Sequence, residues 1–176
     1  MTPLPAALDR AAALVAWRID AQRFAASWHS GLGAERFGGR WNPKGIKAVY
    51  CSLDPSTALI EAAVHRGVNV LDTAPHALTS IEIVNSRGVR VVMPEEIPNP
   101  AWLHGGAPSA NQQAFGAALL AAHDFVVIPS AVSKQSWNLV FEPGRALGKY
   151  RQRWQARLVV DTRLSPSSSS PARGRD

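Results

Sequence analysis

Three stretches of this 176-residue chain place polar residues where a core or a turn alone does not call for them. The first is Phe37-Gly38-Gly39-Arg40-Trp41-Asn42-Pro43-Lys44-Gly45, which leads into a short strand through Tyr50. The second is a helix carrying Glu61. The third is Val127-Ile128-Pro129-Ser130-Ala131-Val132, followed by Trp137-Asn138-Leu139-Val140-Phe141. A guanidinium beside two glycines at the mouth of a strand can fork onto a phosphate or carboxylate, and that chemistry is open to Arg40. The ordinary alternative is a surface arginine closing a turn, and Lys44 fits that alternative better still. Glu61 sits among Ala58, Leu59, Ile60, Ala62, Ala63 and Val64, so its helix is predicted to be apolar all round and buried. A buried carboxylate needs either a task or a structural salt bridge to an arginine. Ser130 ends an apolar strand, where residues often line sites and where serine is also plain turn chemistry. Tyr50 is either core or a ring face for stacking on a flat ligand.

Other chemistries find less support. The five histidines show no metal-ligand spacing, and a single cysteine makes no zinc motif. Cys51, beside Ser52, is a nucleophile candidate with no matched histidine, so a buried small residue is the better reading. There is no phosphate loop and no dinucleotide fingerprint. The six tryptophans read mostly as core or loop anchors.

The elements that must position these residues are short and mixed. Pro5–Val15 reads as a helix, Ala16–Asp20 as a strand and Arg23–His29 as a short helix with Phe24 and Trp28 at i, i+4 spacing. Residues 31–45, with five glycines, read as a loop. Ala48–Leu53 is a predicted strand. Asp54 or Ser56 with Pro55 starts a helix that runs to about His65 and stops at Gly67, with Ala58, Glu61, Ala62 and His65 on one face. Ala77–Val84 and Val89–Met93 are predicted strands around a turn at Ser86-Arg87-Gly88. Residues 94–108 read as a Pro/Gly-rich loop and Gln112–His123 as a helix. Phe125–Pro129 is predicted to be buried on both faces. Trp137–Phe141 and Arg157–Asp161 complete the strands. The strands do not alternate regularly with helices, so an α+β fold is expected rather than a doubly wound sheet.

Composition sets outer bounds. Apolar residues make up 46% and charged residues 18%, a globular balance with room for one domain. No apolar run reaches the length of a membrane span, Asp9 and Arg10 interrupt the Ala/Leu-rich start, and one cysteine cannot staple its own domain. A cytoplasmic protein is therefore expected. The net charge of +6 favours anionic partners without naming one. The cluster Arg151, Arg153 and Arg157 beside Trp154 is either a solvated basic face or the sole support for a nucleic-acid-binding module. Residues 1–160 are expected to form the domain, and the Ser/Pro/Arg-rich tail, 161–176, to be disordered.

Taken together, the three stretches resemble the RES domain, a family named for an Arg, a Glu and a Ser. The resemblance covers Trp17 to about Tyr150. Its most specific parts are Gly39-Arg40-Trp41-Asn42 with Gly45, Tyr50 and Ala58-Leu59-Ile60-Glu61, then Pro129-Ser130-Ala131-Val132 with Trp137-Asn138. Arg18, in Trp17-Arg18-Ile19, also stands where family members carry an arginine. The resemblance implies a fold similar to ADP-ribosyltransferases, with short mixed strands and flanking helices. It implies the toxin half of a toxin–antitoxin pair whose partner is a helical Xre-like protein. It implies cleavage of NAD⁺ by hydrolysis or phosphorolysis, or, in some members, transfer of ADP-ribose to a protein. NAD⁺ is then a substrate, and no cofactor or metal is needed. The implied catalytic set is Glu61, Arg40, Tyr50 and Ser130, and the NAD⁺-binding set is Arg18, Arg40, Tyr50, Ser130 and Asn138. In these roles Glu61 stabilises charge near the ribose, Arg40 with Arg18 binds pyrophosphate, and Tyr50 stacks on nicotinamide or ribose. Ser130 bonds the carboxamide or holds Glu61.

Overall fold

A computed structural model of the protein describes residues 13–67, 71, 74–103 and 108–159. Among the described residues seven strands form one sheet: β1 (Leu14–Ala21), β2 (Val49–Ser52), β3 (His76–Ile83), β4 (Val89–Val91), β5 (Phe125–Pro129), β6 (Trp137–Phe141) and β7 (Tyr150–Leu158). Three α-helices whose ranges lie within the described residues accompany them: α1 (Leu32–Phe37), α2 (Pro55–Arg66) and α3 (Ala110–Ala122). The spatial order is β4-β5-β6-β2-β1-β3-β7, antiparallel throughout except for the parallel β4–β5 pair. This is the expected α+β class, a mixed sheet with flanking helices.

Alternation along the strands divides the core between two faces. Leu14, Ala16, Val49, Cys51, Phe125 and Phe141 belong to the core of one face. On the other, α2 lays Ala58 and Ala62 against Trp17 and Ile19. Farther along that face, Leu120 of α3 packs with Val126, Ile128 and Val140. All five residues of β5 are buried, as its unbroken apolar run predicts.

The sheet is least continuous at the join between β1 and β2. β1 pairs with β3 along its whole length, from Leu14↔Ile83 to Ala21↔His76. Against β2 it has one registered pair, Trp17↔Ser52. Beyond that pair Arg18–Ala21 carries no registered ladder to Val49–Cys51, so the sheet splits there. The Arg18 guanidinium bridges the split, donating through Nη1 to the Tyr50 carbonyl at 2.8 Å.

Several expectations are corrected. The glycine-rich stretch contains α1, because Gly31 and Gly38 bracket a helix at φ +68° and +74° rather than marking loop. Arg23–His29 yields only a 3₁₀ turn over Gln22–Ser27. Val160 and Asp161 lie outside the described residues, and the last described strand is Tyr150–Leu158, which starts well before the expected Arg157–Asp161. It pairs with β3 across a bulge at Ser80/Ile81, and most of its side chains are exposed at the sheet edge, so it lacks an apolar period. Leu14 and Val15 begin β1, and the rest of the expected Pro5–Val15 helix lies almost wholly outside the described residues. So does the tail, 161–176. The α2 helix is not buried all round: Ile60 is 44% and Val64 64% exposed. Among the described residues, no helix is long and apolar enough to cross a membrane.

Candidate active site

The split between β1 and β2 opens into a cleft of about 710 Å³, within the usual range for a small-molecule site. Arg18, Arg40, Tyr50, Glu61 and Asn138 all line it. Local sequence explains why each reaches the cleft.

Glu61 is delivered by α2, which begins at a strong cap. The Asp54 carboxylate accepts from the Thr57 backbone N–H at 2.8 Å and from its hydroxyl at 2.6 Å, and Pro55 fills the first turn. Such a cap contributes about 1 kcal/mol. The apolar side of the helix rests on β1, which turns Glu61 inward, two turns from the cap. Its side chain is 19% exposed. The desolvation this imposes is offset at one oxygen. Oε1 accepts from Ser130 Oγ at 2.9 Å and from Asn138 Nδ2 at 2.5 Å. Bonds to an ionised acceptor are about twice as strong as neutral ones. Oε2 stands apart from this network, with His65 Nε2 at 3.7 Å one turn along.

Ser130 is fully buried and serves Glu61 by being anchored itself. Its Oγ accepts from the backbone N–H of Val132 and of Ser133, both at 3.2 Å, which directs its hydroxyl hydrogen to the carboxylate. Asn138 sits on β6 opposite Ser52 of β2. The Ser52 hydroxyl donates to Asn138 Oδ1 at 2.9 Å, leaving the amide nitrogen for Glu61.

The Arg40 loop is equally constrained. Asn42, fully buried, donates to the Ala34 and Ile46 carbonyls, both at 2.9 Å, and accepts from the Tyr50 hydroxyl at 2.6 Å. That hydroxyl in turn accepts from the Trp41 N–H at 3.0 Å. Gly39 is required by close approach: a Cβ there would lie 2.5 Å from the Tyr50 hydroxyl oxygen and 2.6 Å from Asn42 Oδ1. Gly116 of α3 plays the same part from below, with a Cβ position 2.2 Å from the Trp41 carbonyl oxygen. Arg40 itself donates through Nη1 to the Trp102 carbonyl at 2.8 Å. Among the described residues it has no carboxylate partner within ion-pair distance, so its charge is open to a ligand.

Arg18 differs. Asp20 takes its Nε and Nη2 at 2.8 and 2.6 Å, and the Tyr50 carbonyl takes Nη1. Its charge is internally compensated, and its clearest structural task is to hold the two strands across the split. Burial pushes the Tyr50 phenol above its usual range, against smaller opposing effects from the Trp41 N–H bond and the Arg40 charge, so the ring stays neutral. With its hydroxyl committed to Asn42 and Trp41, Tyr50 contributes its ring to the cleft wall. Cys51 is buried, and desolvation pushes its thiol up to about 12, as a core residue rather than a nucleophile.

The expected residues Arg18, Arg40, Tyr50, Glu61, Ser130 and Asn138 therefore converge on one cleft or on the carboxylate within it. Asp20 and Ser52 belong to the same assembly and were not among the expected site residues. Asp20 meets Arg18 two residues away on the same face of β1, a local spacing, whereas Ser52 carries no local signal, since its partner Asn138 is set by strand register. His65 was expected on the Glu61 face and is found there.

Comparison with known proteins accords with this geometry. The RES domain family model matches residues 15–161. The curated "Toxin Res" of Yersinia enterocolitica serotype O:8 is 30% identical over 135 residues, covering 74% of this chain and 84% of that protein. The "Prs ADP-ribosylating toxin" of a Sphingobium species is 28% identical over 138 residues, covering 72% and 81%. The crystal structure of the M. tuberculosis MbcT–MbcA toxin–antitoxin complex contains a chain of the same fold, with a TM-score of 0.69 at 23% identity over 83% of this chain and 84% of that one. With the family model spanning β1 to the end of the sheet and a 30% identical relative covering most of its length, the chain belongs to the RES-domain family.

Proposed function

We propose that this chain is the toxin of a toxin–antitoxin pair and cleaves NAD⁺ at the nicotinamide–ribose bond. The observation that carries the reading is the Glu61 carboxylate, fixed through Oε1 by Ser130 and Asn138 inside a cleft that also presents Arg40. Breaking the C1′–N bond sends its electron pair to the departing nicotinamide, which leaves neutral. Positive charge develops on the ribose as in other glycosidic cleavages. A preorganised carboxylate beside that charge stabilises the transition state more than the ground state. Glu61 takes this role and orients the attacking oxygen. Arg40 binds the pyrophosphate by its forked donors. Arg18, already paired with Asp20, assists by holding the cleft wall, and Tyr50 offers its ring to nicotinamide or ribose. Of the two roles open to Ser130, holding Glu61 fits its geometry, because its hydroxyl is already spent there. The enzyme acts in the cytoplasm, restrained by a cognate Xre-like antitoxin. The exposed arginines of β7 form a solvated face or meet acidic groups of that partner; Arg151 is already bonded to Glu82.

A second reading, transfer of ADP-ribose to a protein, is favoured by the likeness to the Sphingobium protein named as an ADP-ribosylating toxin. Purified protein incubated with adenylate-labelled NAD⁺, with and without phosphate and with cell lysate, separates the outcomes. Free nicotinamide with labelled ADP-ribose, or with its phosphate ester when phosphate is supplied, is the expected result. Label on a protein band would favour transfer. NAD⁺ left intact in every mixture would reject both readings.

A further inference from the structure

Glu61 has two oxygens in different situations. Oε1 is bound by Ser130 and Asn138, while Oε2 lies outside that network with His65 Nε2 at 3.7 Å. The Ser130 contact is fixed by two backbone N–H groups. The Asn138 contact has no such backbone lock. A primary amide is nearly symmetric in shape, so which end meets the carboxylate depends on what the other end meets. That other end meets the Ser52 hydroxyl, at 2.9 Å.

Ser52 is buried and well placed for this task. It stands directly opposite Asn138 in the β2–β6 register and opposite Trp17 in the β1–β2 register. It therefore occupies the single registered pair at which the split sheet is joined. From there it acts on the site from the cleft floor.

We infer that Ser52 is a positioning residue for Glu61, acting through Asn138. Its hydroxyl fixes the direction of the Asn138 amide, which commits Oε1 to the protein and leaves Oε2 for the substrate. The catalytic part of this inference rests on Glu61 being the carboxylate of NAD⁺ cleavage; the contact itself does not. Removing the hydroxyl leaves a part-buried amide oxygen without its donor, a loss the amide can relieve by rotating away from Glu61. The charged and titratable groups lining the same cleft are His65 on α2, Arg18 and Asp20 on β1, Arg40 in its loop, and Tyr50 and Cys51 on β2. All of them are present in parent and variants, so their fields cancel in the comparison.

The test uses Ser52→Ala and Ser52→Thr; threonine restores the hydroxyl and suits a strand. The first measurement is the ¹⁵N–¹H spectrum of the Asn138 side-chain amide, assigned by its loss in Asn138→Ala. In the parent, one amide proton lies downfield because of the short bond to the carboxylate. In Ser52→Ala that shift collapses, and in Ser52→Thr it returns. The second measurement is nicotinamide release: in the alanine variant kcat falls about tenfold, as expected for one misdirected hydrogen bond, with KM within about twofold. An unchanged amide shift or an unchanged kcat in Ser52→Ala would overturn the inference. Loss of the shift in both variants would also overturn it, by assigning the effect to packing rather than the hydroxyl. A parent that releases no nicotinamide would reject the NAD⁺ reading, while the amide signal still decides the Ser52 contact.

Discussion

Arg40 and Arg18 line the same cleft, yet their charges are not equivalent. Arg18 spends three donors on Asp20 and the Tyr50 carbonyl, whereas Arg40 spends one on a neutral carbonyl. A ligand phosphate should therefore depend chiefly on Arg40. Replacing Arg40 by Ala is expected to weaken NAD⁺ binding about 10- to 100-fold, the worth of one or two charge-assisted hydrogen bonds. Calorimetric titration with the intact dinucleotide checks this, and an affinity equal to the parent's would reject the phosphate role. Cys51 yields a prediction of a different kind. Burial is the largest effect raising its thiol, with Asp20 adding and Arg18 opposing. The folded value lies above the ordinary one, so the neutral thiol's contribution to stability is fully present at neutral pH. It is lost as pH rises from the ordinary thiol range through about 12. Alkylating reagents should leave Cys51 untouched at neutral pH until denaturant is added; rapid labelling of the native protein would contradict its burial. These residues were legible to different degrees. Arg40, Glu61 and Ser130 stood out by type and by family resemblance. That Ser130 would hold a carboxylate 69 residues away came only as one of the two roles the resemblance implied, because the contact is made by the fold and not by local pattern.

The elements that carry the site are short, and their ends do much of the positioning. α2 is aimed by the Asp54 cap and by its apolar side against β1, while α3 supports the Arg40 loop through the absence of a side chain at Gly116. Gly116→Ala forces a methyl into the Trp41 backbone, where no flexible side chain can yield. A loss of about 1–3 kcal/mol in urea denaturation is expected, together with reduced NAD⁺ cleavage from a displaced Arg40. Stability and activity both equal to the parent's would show that the loop does not depend on this contact. Strands with a strong apolar period, such as β5 and β6, were readable within a residue. α1 was hidden because its flanking glycines are also loop signals. β7 was hidden because an exposed edge strand rich in Arg and Gln has no buried face to impose alternation. The expected burial of α2 failed for a related reason. Small and apolar residues all around a helix permit burial without requiring it, and here Ile60 and Val64 face outward.

At the scale of the whole molecule, a sheet that is continuous in order but joined at one registered pair between β1 and β2 creates the cleft. Composition could not have shown this, since a split sheet and an intact one contain the same kinds of strand. The net charge of +6 makes the chain's field attractive to anions in general, and Arg40 lines the cleft with no carboxylate partner within ion-pair distance among the described residues. The central claim is that the carboxylate anchored at this split carries the reaction. Its most direct test compares nicotinamide release from NAD⁺ by the parent and by Glu61→Gln, which keeps the size of the side chain and removes its charge. The parent should release nicotinamide, and the variant should do so about 10²- to 10³-fold more slowly while unfolding at a similar temperature, the scale of losing one preorganised electrostatic group. Release by Glu61→Gln at the parent's rate would contradict the assignment of this carboxylate as the catalytic group.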